Sequence, residues 1–265
     1  MVQQEAFPKL ERQPLTVVLA EVVFSAVDRF ADHGEALRGA LADQCAGFSG
    51  YVLQPVHVAP GGVTVSASQG FQAAMPDGTG LVQVEQDRLV YVTTRYPRFA
   101  GFSAAFMALV ESVAEVVSPD ALLRVGLRYN DAIVPQAGED LSQYLDGGFA
   151  PPDPLPSVAS AMLRYRTEAV METVAGELAV RSLMGIHGLS IMPDIRERFR
   201  GLDVEPAPDD RLTAVLDFDH YWQAPEGGAD FAPAPIEDRL AALHGPAREA
   251  FWRVTTEFAR EERWS

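Results

Sequence analysis

Leu122–Pro135 reads LLRVGLRYNDAIVP. Successive side chains of a strand point to opposite faces. One face of this stretch carries Leu123, Val125, Leu127, Tyr129, Asp131 and Ile133, and is mostly apolar, as a core-facing side should be. The other carries Arg124, Gly126, Arg128, Asn130 and Ala132. Two arginines around a glycine mark a surface where an anion, or another part of the chain, comes close. On an ordinary solvated face the same arginines would simply meet water.

The chain on either side of this strand follows an antiparallel plan. Immediately upstream, Ser118-Pro119-Asp120 ends a helix expected from Pro97 to Val117, with Phe102, Phe106, Leu109, Val110 and Val113 along one stripe. Further back, Leu15–Val27 is rich in β-branched residues and reads as the first strand, after a loose arm over residues 1–13. Asp28 is placed to cap a helix from Arg29 to Ala46, in which Phe30, Leu37, Leu41 and Cys45 recur near helical spacing and which Gly47 stops. A meander follows over Tyr51–Val58, Val63–Ala74, Gly80–Glu85 and Leu89–Thr94, with turns at Pro60-Gly61-Gly62, Pro76-Asp77-Gly78 and Gln86-Asp87.

Downstream comes a short helix at Leu141–Leu145 and a Gly/Pro-rich loop over residues 146–157. A hairpin over Ser160–Thr173 and Glu177–Ile191 follows, then a polar surface excursion over Met192–Asp210. Arg211–Gln223 is a further strand. The chain ends in an amphipathic helix over Ile236–Arg260, with Phe251 expected near the centre of its buried stripe.

This order implies an α+β fold of two similar halves, residues 1–118 and 119–265, each an antiparallel sheet with helices packed on one face. The alternative is one continuous large sheet with all its helices on one side.

With 265 residues, 48% of them hydrophobic, the chain is long enough to bury a large core. Its formal charge of −16 repels phosphate backbones and disfavours nucleic acid as a partner. Lys9 is the only lysine. Cys45 is the only cysteine, which rules out an internal disulfide and a multi-thiolate zinc site, and points to a cytoplasmic setting. Its place in the helical pattern makes it a core thiol. Glu21 interrupts one long apolar stretch, and Glu111 and Glu115 the other, so neither reads as a charge-free membrane span.

Several stretches follow one family pattern. PLTVVLAEVVF resembles an opening strand of the Pro-apolar…Glu-Val-Val-Phe type, and MPDGTGLVQVEQDRLVYVTTRYPRFAGF a hairpin, then a tyrosine before an aromatic helix start. RVGLRYNDAIVP resembles an Arg-Val-Gly-Leu-Arg-Tyr-Ile-Asn-Arg-Ile signature, LDFDHY a Leu-Asp-apolar-Asp strand, and LAALHGPAREAFWRVTTEF a Leu-His…Phe…Thr helix. Together they resemble a TIGRFAM family of sporadically distributed, uncharacterised bacterial proteins. Asn130 and Asp131 stand where that pattern has Ile-Asn, and Ala132 where it has Arg. The resemblance implies fold, length and a bacterial cytoplasmic setting, and brings no activity.

Asp217 and Asp219 share one face of their strand with Tyr221. Parallel carboxylates can hold a hard cation or split an acid/base pair. Equally, they can pair with arginines of a neighbouring strand, and Arg128 against Asp219 is the expected match. His220 faces the other way, beside Phe218 and Trp222. His33, His57, His187 and His244 show no metal-ligand spacing, and His244 reads as a partly buried residue bonded to a loop carbonyl. No serine elbow, phosphate loop or dinucleotide fingerprint is present, and no cofactor is implied. Gly185-Ile186-His187-Gly188 reads as a strand irregularity, and Arg196, Arg198 and Arg200 as a solvated basic run.

The expectation is a non-catalytic binding or protein-interaction module, engaging a protein or a small molecule through Arg124, Arg128, Asn130, Asp217, Asp219 and Tyr221. The alternatives are a metal-dependent hydrolase using Asp217 and Asp219, and a nucleic-acid-binding saddle that the charge disfavours.

Overall fold

The computed structural model describes residues 7–265 except 9, 54–55, 60–61, 66–67, 156 and 187, and leaves the side chains of 53–68 aside. The expectations for residues 1–6, the turn at 60–61, the His57 side chain and His187 lie outside the described residues.

In chain order the elements are β1 (Leu15–Phe24), α1 (Gly34–Ala40), β2 (Ala46–Leu53), β3 (Val56–Ala59), β4 (Gly62–Val65), β5 (Ser68–Ala74), β6 (Gly80–Glu85), β7 (Arg88–Thr93) and α2 (Phe99–Val117). Then come β8 (Ala121–Ile133), β9 (Arg164–Thr173), β10 (Gly176–Gly185), α3 (Pro193–Arg198), β11 (Thr213–Gln223), β12 (Ala229–Asp230) and α4 (Pro233–Val254). The fold is α+β. Ten strands form one antiparallel sheet in the order β2-β5-β6-β7-β1-β8-β11-β10-β9, with β12 added beside β8, while β3 and β4 form a separate ribbon. The opening stretch is β8, at the middle of this sheet, between β1 and β11.

The main core lies between the sheet and its long helices. Val125, Leu127, Tyr129 and Ile133 of β8 are buried there with Leu216 and Phe218 of β11, as alternation requires. The α2 stripe Phe102, Phe106, Leu109, Val110 and Val113 is buried as expected, and Ile236, Leu240, Leu243 and Ala247 of α4 close the same layer. Among the described residues α2 is the one helix apolar and long enough to cross a bilayer by composition. Here its apolar stripe faces the core.

Four expectations are corrected. The helix expected over Arg29–Ala46 is a 3-10 turn at Phe30–His33 followed by α1, and β2 already begins at Ala46. Gly47, at φ 66°, sits within the register irregularity where β2 joins β5. The meander strands shift accordingly, because the β3–β4 ribbon leaves the main sheet. The excursion at 192–210 is not simply polar surface. Pro193 starts α3, where its missing N–H costs nothing. Ile191, Met192, Ile195 and Phe199 form a second apolar cluster with Val17, Val90, Val92 and Val215 on the sheet face opposite the long helices. Finally, α4 stops at Val254: Thr255 is extended and bridges Leu145, and a π turn follows at Ala259–Arg263.

Candidate functional site

The two faces of β8 carry two different chemistries. On the α3 side, Arg128 is the centre of a charge network. Its Nε donates to Asp217 Oδ1 at 2.6 Å and its Nη2 to Oδ2 at 3.0 Å. The same guanidinium reaches Asp194 of α3, with Nη1 to Oδ2 at 2.6 Å. Arg181 of β10 donates to Asp217 Oδ2 at 2.9 Å and to Asp219 Oδ2 at 3.4 Å, and also holds Glu168 of β9. Burial pushes the fully buried Asp217 carboxyl upward, and the guanidiniums of Arg128 and Arg181 pull it down. Burial alone would lower Arg128, but Asp217 and Asp194 hold it above its ordinary value.

The sequence-predicted residues therefore meet, but not in the predicted pairs. Arg128 lies opposite Asp219 in the strand register, yet its side chain runs diagonally to Asp217. Arg124 stacks on the Tyr221 ring at 4.0 Å and lies 3.7 Å from Glu21 and 3.9 Å from Asp219. The Arg124 Nε is buried without a hydrogen-bond partner. Tyr221 donates to Glu177. Asn130 is buried and structural: its Nδ2 donates to the Leu216 carbonyl, and its Oδ1 accepts from the Met192 N–H, which fixes the start of α3. Both aspartates of the proposed metal pair face guanidiniums, so a cation entering there would meet the charge of Arg181. Beside this network runs a groove of about 410 Å³, lined by Arg128, Arg166, Arg181, Glu168, Asp194 and Asp219 among others. Arginine and carboxylate alternate across it, so it presents no field of one sign.

Of the basic run, Arg198 donates to Gln83 and Glu85 of β6, tying α3 across the sheet, and Arg196 donates to Ser190. The run is thus not purely solvated. Cys45 is partly buried against the core, and burial pushes its thiol up to about 11, which makes it a poor nucleophile.

The opposite face of β8 holds a pocket that pattern reading of the sequence did not identify. It has a volume of about 110 Å³ and lies between β8, the N-terminus of α2, α4 and the residues Pro8, Leu10, Gln13, Pro14 and Leu15. Phe99, Phe218, Phe251 and Trp252 supply rings to its walls. Tyr129, Tyr96 and His244 supply a polar chain. The Tyr129 hydroxyl lies 2.8 Å from His244 Nδ1 and 3.4 Å from the Tyr96 hydroxyl. The described partner of His244 Nδ1 is thus a phenol, and the imidazole ring stacks on Phe99 at 4.2 Å. Burial, with Tyr96 adding to it, raises Tyr129 well above the usual phenol range. Asp131, two residues along the same face, also lines the pocket; burial pushes its carboxyl up to about 8, and Asp217 across the sheet adds to the shift. Arg98 precedes α2 at φ 89° and ψ 160°, a backbone region that non-glycine residues avoid. Strain of this kind gathers at functional sites.

His220, the other histidine near α4, is structural. Its Nδ1 lies 2.7 Å from the Leu243 carbonyl and its Nε2 lies 2.8 Å from Thr173 Oγ1, and burial lowers its pKa. Among the described residues no group of three or more His, Cys, Asp or Glu is placed to hold a metal ion. No protein-family model matches the chain, and no curated protein matches it.

Proposed function

We propose that this protein is a non-catalytic binding protein, and that the pocket between β8, α2 and α4 holds a ring-sized small molecule. The observation that carries this reading is the pocket's construction: aromatic walls around a space of about 110 Å³, with a hydrogen-bonded Tyr96–Tyr129–His244 chain on one side. Apolar lining with a few convergent polar groups is how small-molecule sites are built. A binding role fits better than acid/base catalysis, because burial keeps the Tyr129 phenol protonated and its hydroxyl already engages the imidazole. The charge network on the other face then serves as a brace that fixes β8. The cytoplasmic setting and the resemblance to an uncharacterised bacterial family belong to the same reading.

Residues 1–118 and 119–265 would form two topologically equivalent halves. In each, a central strand (β1 or β8) is followed by a meander that starts at the sheet edge and returns beside it, ending in β7 or β11. A long helix, α2 or α4, comes after each meander.

The test is ligand-observed NMR with monocyclic fragments of differing charge, repeated on Ala247→Leu, which puts a larger side chain into the pocket wall. Saturable binding weakened by that substitution is expected. Absence of saturable binding for every fragment, or binding indifferent to Ala247→Leu in a folded variant, would overturn the reading.

A further inference from the structure

Asp131 is the unused group of this pocket. Strand alternation places it on the apolar face of β8 between Tyr129 and Ile133. Its register neighbours are Leu15 on β1 and Leu216 on β11. It is 4% exposed and lines the pocket. Among the described residues nothing donates a hydrogen bond to its carboxyl and no cation pairs with it. Asp217, on the other face of the neighbouring strand, shows how this fold treats a buried carboxylate it has to satisfy: two guanidiniums grip it. Asp131 has no such grip. Buried acids without a partner are uncommon, and one that opens onto a cavity points to a partner that comes from outside.

The charge of that partner follows from the walls. The arginines in the lining are already engaged: Arg248 Nη2 donates to the Phe7 carbonyl at 2.7 Å, and both Arg98 and Arg248 make further interactions. An anion would therefore compete with existing contacts and would meet Asp131 as well. A cation would meet the one acidic group in the lining that lacks a partner. It would also meet the faces of Trp252, Phe251, Phe218 and Phe99, whose π systems attract positive charge. The volume limits the size: at about 110 Å³ the pocket is smaller than the roughly 150 Å³ cavity that accepts benzene, so it takes one ring at most, with part of the ligand left at its open side.

We propose that the pocket selects a small organic cation, a protonated amine carried on a single ring, with Asp131 as its counter-ion. This rests on the pocket being a ligand site, and it adds the ligand's charge class. Empty, Asp131 holds its proton at neutral pH, because burial disfavours the carboxylate. When the ammonium enters, the carboxyl ionises: Asp131–COOH and R–NH3+ become an ion pair, and one proton leaves to solvent. The charged and titratable groups around this step are Tyr129 on the same strand, Tyr96 and Arg98 before and at the start of α2, His244 and Arg248 on α4, and Asp217 beyond the sheet. Affinity should rise with pH until Asp131 is ionised in the free protein, then level off.

The experiment is calorimetric titration of the full chain at pH 7 with benzylamine, benzyl alcohol and benzoate, in two buffers of different ionisation enthalpy. Benzylamine should bind at least tenfold tighter than benzyl alcohol and release close to one proton. In Asp131→Asn the tenfold preference and the proton release should both vanish, while benzyl alcohol still binds. Equal binding of benzylamine and benzyl alcohol, or tightest binding of benzoate, would overturn the charge class and leave the pocket reading standing. No binding by any of the three would overturn both. A preference that survives Asp131→Asn would remove Asp131 as the counter-ion.

Discussion

Removing the Arg128 side chain should destabilise this protein far more than removing Arg124, and the loss should be coupled to Asp217. Arg128 makes two of the three guanidinium hydrogen bonds to a carboxylate that has no exposure to water. Arg128→Ala leaves that carboxylate buried with Arg181 alone. Breaking a buried pair from one side costs ~3–5 kcal/mol. The remaining bond from Arg181 puts the expectation near the lower end. Asp194, the other partner, is 61% exposed and can return to water at little cost. Asp217→Asn keeps an acceptor oxygen and removes the charge, so Arg128→Ala combined with Asp217→Asn should lose less than the sum of the singles by roughly 1.5–3 kcal/mol. Urea unfolding reads this directly, since a loss of ~3 kcal/mol at unchanged slope moves the midpoint by about 1 M. The same cycle with Asp219→Asn should be nearly additive, because Asp219 faces Arg128 in register without touching it. Additive losses in the Asp217 cycle, or stronger coupling to Asp219 than to Asp217, would refute the assignment.

Asp131→Asn should stabilise the protein at neutral pH and do little in acid. Burial pushes the folded carboxyl up to about 8 while the unfolded one keeps its ordinary value of about 3.9, so stability contributed by the protonated group is lost as pH rises between those values. The gain on substitution grows to at most roughly 4 kcal/mol at pH 7; melts at pH 4.5 and 7.5 showing the same offset would contradict it. Asn130→Ala strips partners from the Met192 N–H and the Leu216 carbonyl, a cost of ~2–3 kcal/mol. It should also speed tryptic cleavage at Arg196, Arg198 and Arg200, and an unchanged cleavage rate would show that Asn130 does not anchor α3. Leu243→Ala should cost ~2–5 kcal/mol, because Leu243 is fully buried. Phe251→Ala should cost less, since Phe251 is only partly buried and lines the pocket; thermal melts that rank the two the other way would place the centre of the α4 contact at Phe251.

Much of the fold was legible because β8, α2 and α4 each carry one clean period. Alternation in 122–135 sorted Val125, Leu127 and Ile133 from Arg124 and Arg128, and burial follows that split. The failures come where the pattern is local and the cause is tertiary. Leu37 and Leu41 are buried as a helical stripe demands, yet α1 ends at Ala40 and the chain turns into a strand at Ala46. In 192–210 polar residues outnumber apolar ones, and Ile195 and Phe199 show no long period. Only the apolar patch of Val17, Val90, Val92 and Val215 on the sheet makes them core. Three strands from distant parts of the sequence build that patch, and no window of sequence contains it.

The candidate site was half legible, for a reason that lies in the same strand. Alternation correctly grouped Arg124, Arg128, Asp217, Asp219 and Tyr221 on one face, and it put Tyr129 and Asp131 on the other. It then treated the second face as filled. Whether a core-facing side chain meets packing or a cavity depends on what the opposing helix presents at that height, and α4 presents Ala247, little more than a methyl group. The rings of Phe99, Phe251 and Trp252 stand around that small residue, so the layer does not close over Tyr129 and Asp131. An acid on a core face was the available signal. Asp131 interrupts an otherwise apolar alternation, and burying it with no partner among the described residues is costly enough that packing alone does not explain it. Arginines on an exposed face are common and tend to be neutralised by their neighbours, as Asp217 and Asp194 neutralise Arg128 here. The titratable group that the fold leaves unanswered is the better guide to a ligand, and on β8 that group is the Asp131 carboxyl.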